Sequence, residues 1–336
     1  MTVEMLSTTA GESAETGDIA RTAGAAGTTE APDGTRHLIH RPASWDHCLL
    51  DAPGGGEQRF VVAGPLPEDD GPGHFHDPRH VARELREVGA FVGHRFFDVP
   101  AERPGRFSRL VLDLTDVPAW RAAPVARPRL TTYLTARPQP GAGRVPRGLD
   151  LDVAVRIDEV RCCTGGAELV FPLPAPQRGR IEYGRRVLRA AAGPWETAAE
   201  GAGRPVDPAE VGRRSPGGVL LTEPAVSAQG RLATWVLPPA AAQAGDADGL
   251  LLEALRQASV LAAGRSRGFD AGLALVAGWD VRFRGEAQQG PPLRCAALPG
   301  ALDKDPDGRP CLPVTLTVTQ SHRTVALART RVVQDL

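Results

Sequence analysis

Three polar residues in one apolar segment are the first candidates for chemistry. Glu253, Arg256 and Gln257 lie within GLLLEALRQASVLAAG (249–264), whose other residues are mostly apolar. Residues three or four apart are neighbours on a helix surface. Glu253 could take a proton from a hydroxyl, with its pKa raised by burial, while Arg256 binds a phosphate or orients the carboxylate. Gln257 could donate a hydrogen bond to a substrate beside them. The alternative is a structural ion pair between Glu253 and Arg256, because a carboxylate in an apolar helix is costly unless it is paired or used.

Histidines form the second candidate group. Seven of the eight fall between residues 37 and 94, and His74, His76 and His80 lie close together. The Asp-Pro pair that follows His76 is a helix start, so His76 lies outside the helix and cannot share a metal with His80 across one turn. We therefore expect no metal, and we expect His74 and His76 to contact substrate at the helix entrance.

The elements that must position these residues occur twice in the same order. Short strand-like segments that end at prolines lead into one apolar helix, and a run of longer strands with alternating apolar residues follows. The first copy occupies 36–174 and the second 217–336, with a basic linker at 175–216. Residues 1–35 contain too few large apolar side chains to fold, which predicts a disordered tail. A helix with its own antiparallel sheet, present twice, predicts an α+β fold.

Composition excludes several functional classes. The 39 Lys and Arg residues balance 40 Asp and Glu residues, so no global field attracts nucleic acid or an anionic membrane. We find no apolar signal segment at the start, no stretch near the roughly 20 apolar residues of a membrane span, and no CxxC pair among the five cysteines. These features predict a cytoplasmic protein with reduced thiols. The chain has no GxGxxG motif, no phosphate loop and no GxSxG elbow between a strand and a helix, since the Gly-Arg-Ser-Arg-Gly at 264–268 ends the apolar segment instead; we therefore expect neither a bound cofactor nor serine hydrolysis.

Five segments resemble the A-factor (AfsA-type) γ-butyrolactone synthase family. They are LIHR at 38–41, RFVVAG at 59–64, HDP at 76–78, Tyr-x-Arg-Arg at 183–186 and LLLEALRQA at 250–258. The last segment also resembles the LxLEAxxQA helix of hot-dog dehydratases and thioesterases. The resemblance implies two tandem hot-dog domains, each an antiparallel sheet wrapped around a central helix, that pair as an intrachain pseudo-dimer. A homodimer of such chains is a further expectation.

The resemblance also implies a reaction. In that family a β-ketoacyl thioester, carried on acyl carrier protein or coenzyme A, is joined to a hydroxyl of dihydroxyacetone phosphate, and the ester cyclises towards a butenolide and a γ-butyrolactone signal. We therefore expect an acyltransferase with the acyl chain in a tunnel between the two domains, Glu253 as the base and Arg256 on the phosphate. A non-catalytic or diverged hot-dog protein that binds an acyl thioester or lactone, and a hot-dog thioesterase or dehydratase, are the alternatives.

The first helix departs from the family pattern. Aligned on HDP, Arg83 stands where the family has glutamate, Arg86 matches the family arginine, Glu87 replaces glutamine, and Glu84 is displaced by one position. One position turns a side chain about 100° around a helix. A rotated helix would bring Glu84 back as a second catalytic carboxylate, with Arg83 and Arg86 as substrate ligands. The alternative, which we favour, is that these charged residues form a solvated face.

Overall fold

The computed structural model contains two α-helices and one large β-sheet in the residues it describes. Those residues are 36–40, 57–66, 74–122, 128–141, 145–172, 203–237, 247–287 and 291–335. No helix in these ranges is both long and apolar enough to cross a membrane. The predicted tail and the Tyr-x-Arg-Arg segment lie outside the described residues.

The first helix, α1, extends over Arg79–Phe96. The apolar residues that recur at helical spacing, among them Val81, Leu85 and Val88, are all buried. The helix begins one residue after Pro78, and Asp77 Oδ1 accepts a hydrogen bond from the backbone N–H of Arg79 at 2.9 Å. The sequence therefore predicted this helix and its start correctly, and the Asp-Pro pair fixes that start.

The second helix, α2, extends over Ala247–Arg267 and lies deeper in the protein. Every residue from 251 to 263 is buried except Arg256, which is partly buried. A helix that is apolar on nearly every side needs neighbours all around it. The helix ends at Gly268, whose φ of +70° and N–H bond to the Gly264 carbonyl oxygen (2.8 Å) form a left-handed cap.

Thirteen strands form one continuous sheet around the two helices. Those before α2 are β1 (Arg36–His40), β2 (Gln58–Pro65), β3 (Arg106–Leu114), β4 (Arg129–Gln139), β5 (Gly148–Ile157), β6 (Val160–Val170), β7 (Ala225–Val226) and β8 (Leu232–Val236). Those after it are β9 (Ala274–Phe283), β10 (Leu293–Pro299), β11 (Asp303–Lys304), β12 (Pro310–Gln320) and β13 (Arg323–Gln334).

The strand order repeats within the sheet. The first half runs β2-β4-β5-β6-β3 and the second runs β8-β10-β12-β13-β9, with antiparallel pairing throughout both runs. The two runs join where β3 pairs with β9, with Leu110 opposite Val281 and Leu112 opposite Trp279. The α+β prediction, a helix with its own antiparallel sheet in each half, is confirmed.

Part of the predicted linker packs against the second half. Val206 and Val211 are buried, and the 3-10 helix Pro208–Val211 contacts α2. Gly212 follows in a left-handed conformation (φ +61°) and turns the chain so that Arg213 reaches α2. Residues 203–216 thus contribute to the second half, whereas 175–202 lie outside the described residues. The exact domain boundaries stay a prediction.

Candidate functional site

The carboxylate of Glu253 is the centre of a buried ionic cluster. Glu253 is 7% exposed. Its Oε2 lies 2.9 Å from Nε of Arg256 and 2.8 Å from Nη1 of Arg79, and its Oε1 lies 2.6 Å from Nη2 of Arg213. The nearest neighbour in the sequence, Arg256, comes from the same helix, but Arg79 comes from α1 and Arg213 from the segment after the 3-10 helix. One buried carboxylate therefore joins three parts of the chain.

Gln257 supports this carboxylate from the protein side. Its Nε2 donates to Oε1 of Glu253 and to the carbonyl oxygen of Gly218 (2.7 Å), and its Oε1 accepts from the N–H of Leu220 (2.8 Å). The residue is fully buried. The proposed contact between Gln257 and a substrate finds no support, because these partners occupy its amide group.

The charge of Glu253 is stabilised, which contradicts the pKa expected from burial. Burial raises the pKa of this carboxyl group, but the charges of Arg256 and Arg79 and the hydrogen bond from Arg256 outweigh that effect. The pKa falls from 4.5 to about 2. A carboxylate this acidic is a weak base at neutral pH. The expectation of a raised pKa was wrong because two of the three cations come from other segments.

Asp77 holds Arg79 in this cluster. The Asp77 carboxylate accepts hydrogen bonds from the backbone N–H of Arg79, from its Nε (2.7 Å) and from its Nη2. Asp77 is itself buried, and although burial opposes ionisation, the positive charges of Arg79 and Arg256 keep its pKa well below the usual range. The cap of α1 thereby becomes an ionic link to α2.

A small pocket with a cavity volume of about 40 Å³ lies beside the cluster. Arg213, Arg256 and the start of α1 supply its polar wall, and Trp279 and Leu275 belong to its apolar wall. The full lining is Phe75, His76, Asp77, Pro78, Gly212, Arg213, Arg256, Ala271, Gly272, Ala274, Leu275, Val276 and Trp279. Guanidinium groups attract anions, whereas the N-terminus of α1 is already capped by the Asp77 carboxylate. The pocket is thus suited to a molecule with one anionic and one apolar part.

The structure separates the two histidines proposed for substrate contact. His76 lines the pocket, whereas Nε2 of His74 lies 3.2 Å from Oδ2 of the buried Asp335. Arg121 donates two hydrogen bonds to the same carboxylate, at 2.7 and 2.8 Å. His74 therefore links the segment before α1 to the last described residues. In the described ranges no group of three or more His, Cys, Asp or Glu side chains could hold a metal ion.

The candidate residues of α1 lie outside this pocket. Glu84 is only 4% exposed, so it does not belong to a solvated face, and the favoured interpretation was wrong for this residue. Its position next to Leu85 on the apolar stripe turns it towards the interior. Arg83 is exposed and Arg86 is partly buried. None of the three lines the pocket, and their roles stay a prediction.

Sequence reasoning missed Arg79 and Arg213. Arg79 follows the Asp-Pro cap directly, where it looks like an ordinary residue of the first helical turn. Arg213 lies in Gly-Arg-Arg at 212–214, within the segment taken for a linker. Both contacts join residues far apart in the sequence. Gly212 was a sequence signal for a sharp turn just before Arg213, since glycine is the residue that most readily adopts positive φ.

Comparison with known proteins finds a family match in the second half of the chain. Residues 195–333 match the family model described as the A-factor biosynthesis hotdog domain. The comparison with curated proteins returns no match. Among solved structures, the chain is similar to a putative thioesterase from Novosphingobium aromaticivorans, with 16% sequence identity and a TM-score of 0.48. That similarity covers 84% of this chain and 96% of the thioesterase. It is also similar to a putative thioesterase II from Thermobifida fusca, with 13% identity, coverages of 87% and 97%, and a TM-score of 0.47.

The family match contains most of the residues around the pocket. It includes α2 with Glu253 and Arg256, the segment with Arg213, and the strands from β7 to β13. A central helix with an antiparallel sheet around it is the arrangement that the hotdog name describes. Residues 195–333 are thus similar to the A-factor biosynthesis hotdog domain family.

Proposed function

We propose that this protein is a hot-dog enzyme acting on acyl thioesters, and specifically an acyltransferase. It moves a β-ketoacyl group from acyl carrier protein or coenzyme A to a hydroxyl of dihydroxyacetone phosphate, towards a butenolide and a γ-butyrolactone. The observation that carries this proposal is the pocket that Arg213 and Arg256 line together with the apolar residues Leu275, Val276 and Trp279.

The polar wall suits the phosphate of the acceptor. Nε and Nη2 of Arg256 bond to Glu253 and to the carbonyl oxygen of Val211 (3.0 Å). Among the described residues, Nη1 of Arg256 has no protein partner, and it lies on the side of Gly212, at the pocket wall. A guanidinium group held on one side and open on the other is preorganised to bind a phosphate oxygen.

Glu253 has a positioning role in this proposal. Its carboxylate fixes two arginines that line the pocket, and its own charge cancels only part of theirs. Three guanidinium groups contact the two carboxylates of Glu253 and Asp77, so within this set the positive charges outnumber the negative charges by one. That charge favours a bound phosphate and also the oxyanion that develops when a hydroxyl attacks a thioester.

The apolar wall suits the acyl chain. Leu275, Val276 and Trp279 belong to β9, the strand at which the second half of the sheet joins the first. Trp279 is 4% exposed and its indole Nε1 donates to the Val276 carbonyl oxygen at 3.0 Å, which fixes the ring. A short apolar chain could lie against this rigid surface while its thioester carbon is near the arginines.

The test measures thiol release from a β-ketoacyl thioester with and without dihydroxyacetone phosphate, with the product identified by mass spectrometry. We expect release that depends on the acceptor and a phosphorylated product. Arg256→Gln should raise the KM for the acceptor about tenfold or more, since a charge-assisted bond is worth about 1.5 to 3 kcal/mol.

Arg265→Gln is the matched control on the same helix. Arg265 pairs with Glu210 and Glu223 at the surface, and it does not line the pocket. Acceptor-independent thiol release would indicate a thioesterase. No release from wild type, or an unchanged acceptor KM in Arg256→Gln, would refute the acyltransferase proposal.

A further inference from the structure

Arg79 contacts both carboxylates of the buried cluster, although it does not line the pocket. We propose that Arg79 is a positioning residue: by bridging Asp77 and Glu253 it sets the orientation of the two pocket arginines, and so determines how strongly the pocket binds a phosphorylated ligand. This inference rests on the proposed function and deepens it, because it assigns control of the acceptor site to α1, in the first half of the chain.

The guanidinium group of Arg79 is held by the start of its own helix. Its Nε lies 2.7 Å from Oδ2 of Asp77, and its Nη2 contacts the same oxygen. The other carboxylate oxygen, Oδ1, accepts the backbone N–H of Arg79 at 2.9 Å. The side chain of Asp77 is only 5% exposed, so this pairing is shielded from water. A guanidinium group that a buried carboxylate holds by two nitrogens has its third nitrogen aimed in one direction.

That third nitrogen reaches the other helix. Nη1 of Arg79 lies 2.8 Å from Oε2 of Glu253 on α2, and Nε of Arg256 lies 2.9 Å from the same oxygen. Two guanidinium groups therefore share one carboxylate oxygen. Residues that share a partner in one ionic network are energetically coupled. A change at Arg79 should thus be felt at Arg256, which lines the pocket.

The other oxygen of Glu253 holds the second pocket arginine. Nε and Nη2 of Arg213 lie 2.8 and 2.6 Å from Oε1, and Nη2 of Arg256 lies 3.0 Å from it. The side chains of Arg213 and Arg256 are 7% and 13% exposed. Because one carboxylate orients both arginines, a rotation of that carboxylate moves both. Arg79 is therefore connected to the whole cationic wall of the pocket through direct contacts.

Charge and position make opposite predictions at Asp77. Asp77 lines the pocket, so by charge alone its neutralisation should favour a bound anion. If Asp77 instead serves to hold Arg79, its neutralisation loosens Arg79 and weakens anion binding. Asparagine keeps the helix cap, since its side-chain oxygen can still accept the backbone N–H of Arg79. Asp77→Asn therefore separates the two explanations by the sign of its effect.

The experiment measures the dissociation constant of inorganic phosphate by isothermal titration calorimetry in wild type, Arg79→Gln, Arg79→Lys and Asp77→Asn. Arg79→Gln should weaken binding about fivefold to tenfold and Asp77→Asn about threefold, which are sizes typical of coupled residues in one network. Arg79→Lys should lie between wild type and Arg79→Gln, because an ammonium group keeps the charge but lacks the fork that bridges two carboxylates. Urea unfolding gives the folded fraction of each variant, and the two milder variants decide the test if Arg79→Gln does not fold.

Arg109→Gln is the matched control. Arg109 on β3 pairs with Asp280 on β9, with its Nε 3.3 Å from Oδ1, and it does not line the pocket. This ion pair also joins the two halves of the sheet, so its loss reports on the joint alone. It should change the phosphate affinity less than about twofold. The inference is wrong if Arg79→Gln also stays within that limit, if Arg79→Lys binds phosphate as wild type does, or if Asp77→Asn strengthens binding.

Acyl-transfer kinetics separate this inference from the proposed function. Arg79→Gln should raise the KM for dihydroxyacetone phosphate and leave the KM for the thioester nearly unchanged. Phosphate binding that depends on Arg79, in a protein that transfers no acyl group, would support the inference and overturn the acyltransferase assignment. Acceptor-dependent transfer with an unchanged acceptor KM in Arg79→Gln would leave the acyltransferase intact and overturn the role of Arg79. No phosphate binding by wild type would count against both.

Discussion

Glu253→Gln removes one negative charge from a buried site that contains three guanidinium groups. Glutamine has nearly the same shape, so packing changes little and the effect reports on charge. We expect a large loss of stability at neutral pH, because three buried or partly buried arginines would lose the one carboxylate that contacts them all.

The size of the effect follows from the pKa of Glu253. A fall from 4.5 to about 2 corresponds to roughly 3 kcal/mol of stabilisation of the folded state. Because the pKa is lower in the folded state, this stabilisation is complete above about pH 5 and is lost as the pH falls towards 2. The difference between wild type and Glu253→Gln should therefore be about 3 kcal/mol at pH 7 and roughly half of that at pH 3.

Urea unfolding at the two pH values, followed by circular dichroism, measures this difference. Glu210→Gln is the control, since Glu210 pairs with Arg265 at the surface and should contribute less than about 1 kcal/mol. A loss below about 1 kcal/mol in Glu253→Gln, or an equal loss at pH 7 and pH 3, would show that the arginines do not stabilise this carboxylate as described.

Three further predictions concern the surroundings of the site. Gly212→Ala should lower stability by about 1 to 2 kcal/mol and raise the KM for the acceptor, because φ at this position is +61°. A Cβ atom there would also lie 3.0 Å from the Ala271 carbonyl oxygen and 3.5 Å from Nη1 of Arg256. Unchanged urea unfolding and acceptor kinetics would contradict this. Asp335→Asn should lower the melting temperature by several degrees, since it weakens two charge-assisted bonds to a buried carboxylate, and calorimetry that finds no change would argue against that link. Cys162 and Cys295 should not react with a disulfide reagent at pH 8 until the protein unfolds, because burial raises both pKa values to about 12; labelling in the native state would contradict their burial.

The elements of the fold were predictable from local patterns. Apolar residues at helical spacing identified α1 and α2, and the Asp-Pro pair located the start of α1. These signals are local, because a helix stripe and a cap depend on residues within a few positions of one another. Their repetition along the chain was enough to predict an α+β protein with two similar halves.

The electrostatics of the site were not predictable in the same way. The sequence placed Glu253 and Arg256 side by side, but the sign of the pKa shift depends on Arg79 and Arg213, which reach the same carboxylate from other segments. Burial of Glu84 also depends on how α1 is rotated against its sheet. Such contacts between distant segments are set by tertiary packing, which no local pattern encodes.

The pairing of β3 with β9 has a consequence for any attempt to divide the chain. Either half alone would expose the backbone N–H and C=O groups of a strand of nine or ten residues, which is a template for association with other chains. The isolated second half would also lose Arg79 and His76 from its pocket. Residues 195–333 match one family model, but because their sheet continues into the first half, we expect them to associate or aggregate when produced alone.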